Sequence, residues 1–129
     1  MTTPGRDLQG LLVEAHDEGG FVLSVLSTQQ GLPVASVGHR PDLVDTLAAL
    51  TALFDDVVVR AQRDVGLARV DEVALRDEDR GSVVVRPICE VDGTRLFLVV
   101  EVPARRPWRR VTNRLCRAIA GISVSRLEA

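Results

Sequence analysis

Cysteine and histidine, which serve as metal ligands, nucleophiles and bases, are few in this sequence and lie far apart. The 129 residues include two cysteines, Cys89 and Cys116, and two histidines, His16 and His39. The four side chains fall on four different predicted elements and lack a paired spacing such as C-x₂-C, which is typical of zinc sites. We interpret them as surface histidines and as free thiols at the edge of the core. Neither a metal nor a cofactor is therefore predicted.

The sequence also lacks the arrangements of residues that acyl transfer or acid–base catalysis requires. No serine stands in a Gly-x-Ser-x-Gly turn, and no obvious base accompanies Cys89. Asp55 and Asp56 occupy adjacent positions of a predicted helix, about 100° apart, so their carboxylates do not face one substrate. The chain has no lysine, and therefore no phosphate-binding loop that ends in Lys-Ser or Lys-Thr. We predict no catalytic residue and no enzymatic activity.

Charge is distributed unevenly along the chain. The formal net charge is −2, but residues 1–59 carry 2 Arg against 8 acids, whereas residues 104–129 carry 7 Arg against 1 acid. A possible anion-binding face comprises Arg105, Arg106, Arg109, Arg110, Arg114 and Arg117. Because this set lacks the interleaved aromatic residues that stack on bases, nucleic-acid binding is not expected. A solvated face or a contact with an acidic protein is the preferred interpretation.

Length and composition fit one cytoplasmic domain. Apolar residues make up 46% of the chain and charged residues 26%, which is ordinary globular usage. We predict a single domain over residues 1–129, with frayed ends at about residues 1–5 and 123–129. The sequence has no signal-peptide pattern and no apolar run of roughly 20 residues, so a cytoplasmic protein without a membrane span is expected.

Glycine and proline residues mark many of the predicted ends of helices and strands. A first helix begins at Thr3-Pro4 and ends at Gly19-Gly20, a long helix runs from Pro41-Asp42 to Gly66, and a final helix runs from Pro107 to Ile122. Strands are predicted at Phe21–Leu26, Leu32–Val37, Val70–Arg76, Val83–Val91 and Arg95–Val102. Pro87 indicates a bulge, or a position where its missing N–H is tolerated. This predicts an α+β fold, a single five-stranded antiparallel sheet with helices on both faces, in the order α-β-β-α-β-β-β-α.

The long helix is apolar on two sides. Its predicted core-facing stripe comprises Leu43, Leu47, Leu50, Phe54, Val57, Val58, Ala61 and Val65. The small residues Ala48, Ala52 and Val59 lie on the other side, beside three aspartates. A side that only faced water would not need these apolar residues, so we predict contact with a second polypeptide. The strand Val70–Arg76 is interpreted as an edge that awaits a partner.

Three segments resemble the roadblock / dynein light chain family, and together they cover nearly the whole chain. They are the hairpin from Val22-Leu23-Ser24-Val25-Leu26 to Gly31-Leu32-Pro33-Val34-Ala35-Ser36, the Ala-rich helix Leu47-Ala48-Ala49-Leu50-Thr51-Ala52-Leu53, and the hairpin Val83-Val84-Val85-Arg86-Pro87-Ile88 with Leu96-Phe97-Leu98-Val99-Val100. The resemblance implies a homodimer, or a heterodimer with a related domain, in which the third strands pair and the long helices lie side by side. For bacterial members it also implies binding of a Ras-like small GTPase, whose nucleotide cycle is altered.

The predicted partner surface combines both arguments. It comprises Asp45, Ala48, Ala49, Ala52, Asp55, Asp56 and Val59 on the long helix, and Val73 and Leu75 on the third strand. On this interpretation the chain is a dimeric, non-enzymatic adaptor or regulator that binds a small GTPase. The alternatives are a scaffold subunit of a multiprotein assembly without a GTPase, and an anion-binding module that uses the C-terminal arginines.

Overall fold

The helices and strands follow the predicted order. The computed structural model describes the backbone of residues 4–128 and the side chains of residues 8–122. The helices are α1 (Pro4–Gly19), α2 (Val44–Arg60) and α3 (Arg109–Glu128); α2 follows a 3-10 turn (Pro41–Leu43) and continues into a π-helical turn (Ala61–Val65). The strands are β1 (Leu23–Thr28), β2 (Pro33–Gly38), β3 (Val73–Asp77), β4 (Gly81–Val91) and β5 (Thr94–Pro103). The prediction of frayed ends falls partly on residues 1–3 and 129, which lie outside the described residues, and the backbone of α3 is helical to Glu128.

The strands form one antiparallel sheet in the order β2-β1-β5-β4-β3. The central strand β5 pairs with β1 and β4, and β2 and β3 are the two edges. The turn between β4 and β5 is Asp92-Gly93, and both residues have positive φ, 50° and 81°, as this dipeptide predicts for a tight hairpin. The register of β4 on β5 shifts between Pro87 and Cys89, so of the two alternatives for Pro87 the structure shows the bulge.

Helices cover both faces of the sheet, which confirms the predicted fold class. α1 and α3 pack side by side on one face, in a cluster that includes the fully buried Leu12, Leu98 and Ile119. α2 lies on the other face, mainly on β1 with fewer contacts to β2 and β5, and its Leu47 and Phe54 belong to a second buried cluster. Edge strand β3 therefore stands beyond the area that α2 mainly covers. No helix within residues 4–128 is long and apolar enough to cross a membrane.

The orientation of α2 on the sheet differs from the predicted one. The sequence pattern predicts Ala48 on the outer side, but it is fully buried, at 0% exposure. Ser27 Oγ donates to the carbonyl oxygen of Ala48 at 3.3 Å. A Cβ atom at Gly31 would lie 3.2 Å from that same oxygen, so the turn after β1 presses closely on this side of α2. The assignment of Ala48 to the outer face is wrong, because the small side chain is needed for contact with the chain's own hairpin.

Asp55 also points toward the sheet rather than outward. Its Oδ2 accepts a hydrogen bond from Arg95 Nη2 on β5 at 2.6 Å, and the Asp55 side chain is only 16% exposed. Conversely, Val57 and Val65 of the predicted core stripe are 52% and 74% exposed. The buried side of α2 is thus rotated toward Ala48 and Asp55, and several larger apolar side chains are left outside.

A buried arginine on β4 connects α3 to the segment that enters β3. Arg86 on β4 is 8% exposed. Its Nε donates to the carbonyl oxygen of Asp71 at 3.1 Å, and its Nη1 donates to Thr112 Oγ1 at 3.0 Å and to Asn113 Oδ1. Asp71 lies just before β3, so one guanidinium fixes both the first turns of α3 and the segment that enters the edge strand.

His16 is buried, although the sequence predicted a surface histidine. Its side chain is 6% exposed, and Nδ1 lies 2.8 Å from Ser24 Oγ of β1. The ring also meets Phe21 edge to face, with ring centroids 6.5 Å apart. These contacts fix the C-terminal part of α1 against the sheet. His39 is exposed, as predicted.

The free energy of unfolding is expected to decrease as the pH falls through the ordinary histidine range. Burial lowers the pKa of His16 from its usual value of 6.5, with the neighbouring Asp17 opposing this effect. The unfolded chain therefore takes up a proton near pH 6.5 that the folded chain does not, and stability that is fully present above this pH is lost below it. Urea midpoints measured between about pH 8 and pH 5 should show this loss in the protein and not in His16→Gln. A His39→Gln control should keep the loss; equal slopes in all three proteins would contradict the assignment to His16.

Candidate functional site

An exposed apolar strip runs along the outer side of α2. It consists of Ala49, Leu53 and Val57, which follow one another at four-residue spacing and so share one side of the helix. Leu53 is 65% exposed and Val57 is 52% exposed. We call these three residues the α2 strip. Burial of such side chains in a contact is worth about 1.5–3 kcal/mol for each large one, so the strip is suited to binding protein.

Acidic side chains border the α2 strip. Asp45 and Asp56 are exposed, and Asp56 Oδ2 accepts a hydrogen bond from Arg60 Nε at 3.0 Å. This ion pair is itself exposed and contributes little to stability. The aspartates therefore remain available to a partner with a basic surface.

The free edge of β3 is the second exposed apolar feature. Val73 and Leu75 pair with Val85 and Val83 of β4, which belong to or pack on the cluster beneath α2, so all four side chains lie on the α2 side of the sheet. Leu75 is 51% exposed. An edge strand that carries exposed apolar residues is a template for pairing with another strand.

The structure brings together only part of the predicted partner surface. Asp45, Ala49, Asp56 and Leu75 are exposed; Ala52, Val59 and Val73 are half-buried; Ala48 and Asp55 face inward. Leu53 is absent from the predicted partner surface, and the sequence pattern predicts Val57 in the core. Leu53 carried a signal, since it was a large apolar residue that fitted neither the predicted core stripe nor the small-residue side.

A groove lies where the C-terminal half of α2 passes the β4–β5 hairpin. It has a volume of about 260 Å³, and its lining includes Val59, Gln62, Pro87 and Phe97. The mixture of apolar walls with the Asp55–Arg95 pair at one side is suited to receiving a side chain of a bound protein. Its size is small compared with the roughly 300–1,000 Å³ typical of pockets for small ligands.

The six C-terminal arginines do not form one continuous face. Arg106 Nε donates to the carbonyl oxygen of Gly19 at 2.9 Å and is used to join α1 to the loop before α3. Arg109 pairs with Glu72 at 3.4 Å and stacks 4.8 Å from the Trp108 ring centroid, so one aromatic residue does accompany the set. Trp108 Nε1 donates to the same Glu72 carboxylate at 2.8 Å. Arg110, Arg114 and Arg117 line one shared recess on α3, and Arg105 lies apart in the preceding loop.

The cysteines are both free and half-buried. Burial raises the pKa of the Cys116 thiol to about 11, so it remains protonated and poorly reactive at neutral pH. Within the described residues, no three or more His, Cys, Asp and Glu side chains are grouped to hold a metal ion.

Comparison with solved structures defines the fold. The gliding protein MglB from Thermus thermophilus superposes with a TM-score of 0.82 at 23% identity, covering 97% of this chain and 94% of that chain. Myxococcus xanthus MglB gives 0.82 at 16% identity, with 97% and 93% covered. A Roadblock/LC7 domain from Streptomyces avermitilis gives 0.63 at 19% identity, with 91% and 92% covered. The chain has the roadblock fold.

The likeness is one of fold rather than of close sequence. No protein-family model matches the chain, and no curated protein matches it in sequence. Within this roadblock fold, α2 and β3 both expose large apolar side chains on the same side of the sheet, namely Leu53 and Val57 on α2 and Leu75 on β3. These two elements are the candidate functional surface.

Proposed function

We propose that this chain is a dimeric, non-enzymatic regulator that binds a Ras-like small GTPase and modulates its nucleotide cycle. The observation that carries the proposal is the exposure of Leu53 and Val57 on α2 together with that of Leu75 on the free edge strand β3. The resemblance to the roadblock / dynein light chain family supplies the class of partner. The fold shared with the two MglB structures supports the assignment to the roadblock class of regulators.

The sequence of β3 supports pairing with a second copy of itself. If two β3 strands pair in an antiparallel register centred on Ala74, Glu72 lies opposite Arg76 of the second copy, and Val73 lies opposite Leu75. Opposite charges and apolar side chains then meet across the twofold axis, and each such pair contributes about 0.2–1 kcal/mol. The carboxylate of Glu72 already accepts Trp108 and Arg109, and a carboxylate has room for a further donor.

Dimerisation through β3 would place the two α2 helices side by side. Their α2 strips would contact each other along the twofold axis, while Asp45 and Asp56 would border the joint surface. We assign these aspartates to the GTPase contact, because they are exposed and because acidic side chains favour encounter with a basic partner surface. The regulator would act by binding one nucleotide state more tightly than the other, since a bound protein shifts an equilibrium only through such a difference.

The experiment is capture of small GTPases from the native host on the immobilised chain, after loading with GDP or with a non-hydrolysable GTP analogue. We expect recovery in one nucleotide state to exceed recovery in the other by at least about tenfold, a difference of about 1.4 kcal/mol. The double variant Asp45→Arg with Asp56→Arg should lose this binding and remain dimeric. The matched double variant Glu14→Arg with Asp17→Arg, on α1 at the opposite face of the sheet, should keep it. Failure to recover a GTPase in either state would favour the scaffold alternative.

A further inference from the structure

The helices α1 and α3 form a layer on the face of the sheet opposite α2, and they run antiparallel. Arg106, just before α3, donates to the carbonyl oxygen of Gly19 at the end of α1, at 2.9 Å. The C-terminal end of α1 therefore meets the N-terminal end of α3. Farther along, Arg114 Nη2 donates to Glu18 Oε1 at 2.5 Å, so these two residues lie at the same level along the helix axes.

Each helix of this layer carries a row of exposed charges of one sign. The acidic row of α1 consists of Glu14, Asp17 and Glu18, and the basic row of α3 consists of Arg110, Arg114 and Arg117; all six side chains are exposed. Among the described side chains, the Arg114–Glu18 pair is the one ion pair that joins the rows. Arg117 Nε donates to the carbonyl oxygen of Asn113 at 3.4 Å, and within residues 8–122 no carboxylate forms an ion pair with Arg117.

We propose that this layer binds the same layer of a second copy, with the acidic row of each copy lying on the basic row of the other. Such a contact has a twofold axis that runs parallel to the two helices, midway between them at the surface of the layer. This axis places α1 of one copy over α3 of the other, and each residue keeps its position along the helix direction. Glu18 then lies above Arg114 of the second copy. Glu14, four residues or about 6 Å earlier on the antiparallel helix, reaches the level of Arg117.

An apolar groove between the two rows supplies the centre of this contact. It has a volume of about 170 Å³ and is lined by Leu11, Ala15, Val111 and Ala118, with Glu18 and Arg114 above it. Two helices, each about 25–30 Å long and about 10 Å wide, offer roughly 500 Å² in each copy, or about 1,000 Å² in total. This is the lower end for specific interfaces, so the contact should be weak, electrostatic and sensitive to salt.

The test is the mass of the full chain by sedimentation at about 0.05 M and about 1 M NaCl, over a range of concentrations. The Debye length falls from above 10 Å to about 3 Å over this range, so exposed ion pairs lose most of their strength. We expect the mass to double with concentration at low salt, and the association constant to fall by at least about tenfold at high salt. A mass that is independent of salt would overturn the proposal.

Charge reversal locates the contact. Arg110→Glu with Arg117→Glu, and separately Glu14→Arg with Asp17→Arg, should each abolish the salt-sensitive doubling while leaving the Arg114–Glu18 pair in place. An equimolar mixture of the two variants should associate again, because the first variant carries mainly acidic residues in both rows and the second carries mainly basic residues in both rows. A control reversal outside the layer, Arg80→Glu, should change nothing. Doubling that survives both reversals, or a mixture that stays dissociated, would overturn the proposal.

This contact is separable from the one proposed for α2 and β3. The α2–β3 contact is mainly apolar and is expected to persist at about 1 M NaCl, where the α1–α3 contact dissociates. A chain that is monomeric at high salt and dimeric at low salt would contradict the first contact and support the second.

Discussion

A Leu53→Asp variant is expected to be monomeric at concentrations where the unmodified chain is a dimer. Leu53 is 65% exposed in the single chain and lies in the middle of the α2 strip. In a twofold contact the substitution acts in both copies, so burial worth about 1.5–3 kcal/mol is lost twice and two carboxylates are brought into an apolar contact. The dimer dissociation constant should rise by at least about 1,000-fold, which corresponds to about 4 kcal/mol. Sedimentation equilibrium at high salt measures this change directly.

The matched control for this variant is Leu32→Asp. Leu32 is 63% exposed and lies in the turn between β1 and β2, at the edge of the sheet opposite β3. The control introduces the same charge on a similarly exposed leucine, and it should leave the dimer unchanged. If both variants remained dimeric, or if both dissociated, the α2 strip would not be the contact.

An Arg86→Ala variant is expected to lower the free energy of unfolding by about 3 kcal/mol. Arg86 is 8% exposed, and its guanidinium donates to the carbonyl oxygen of Asp71 and to the side chains of Thr112 and Asn113. Hydrogen bonds that involve a charged group contribute about 1.5–3 kcal/mol each, and release of the buried charge to water offsets part of their loss. The urea midpoint should fall with little change in the slope of the transition.

The control for Arg86→Ala is Arg80→Ala, which removes an exposed arginine from the β3–β4 turn. It should change stability by no more than about 0.5 kcal/mol. Because Arg86 also holds the segment that enters β3, Arg86→Ala should weaken dimerisation even where the variant is folded. Equal stability of the two variants would show that the Arg86 contacts contribute nothing measurable.

The order of elements could be predicted because it depends on local signals. Pro4 and Gly19 bound α1, Asp92-Gly93 closes the β4–β5 hairpin with positive φ at both residues, and Pro87 marks the bulge. Each signal acts through the conformation of one or two residues, and no distant contact is needed to interpret it.

The orientation of α2 could not be predicted from periodicity. Apolar residues occupy so much of its circumference that several orientations bury a comparable set. What decides among them is contact with distant residues: Ser27 and Gly31 require the small Ala48, and Arg95 on β5 requires Asp55. α2 does expose apolar side chains, but they are Leu53 and Val57 rather than the predicted Ala48, Ala52 and Val59, of which Ala48 is buried and the other two are half-buried.

The burial of two polar residues, His16 and Arg86, could not be predicted from the sequence either. His16 is satisfied by Ser24 on the neighbouring strand, and Arg86 is satisfied by Thr112, 26 positions away in the chain. A histidine or an arginine is usually exposed unless such partners are present, and only the fold brings these partners together.

The most direct test of the account is the mass of the unmodified chain in solution at about 1 M NaCl, where contacts between exposed charges are screened. Light scattering should give twice the chain mass of 14.0 kDa, because Leu53, Val57 and the β3 edge are covered by a second copy. A mass of 14.0 kDa at every concentration up to the solubility limit would contradict it, since the outer side of α2 would then face water alone.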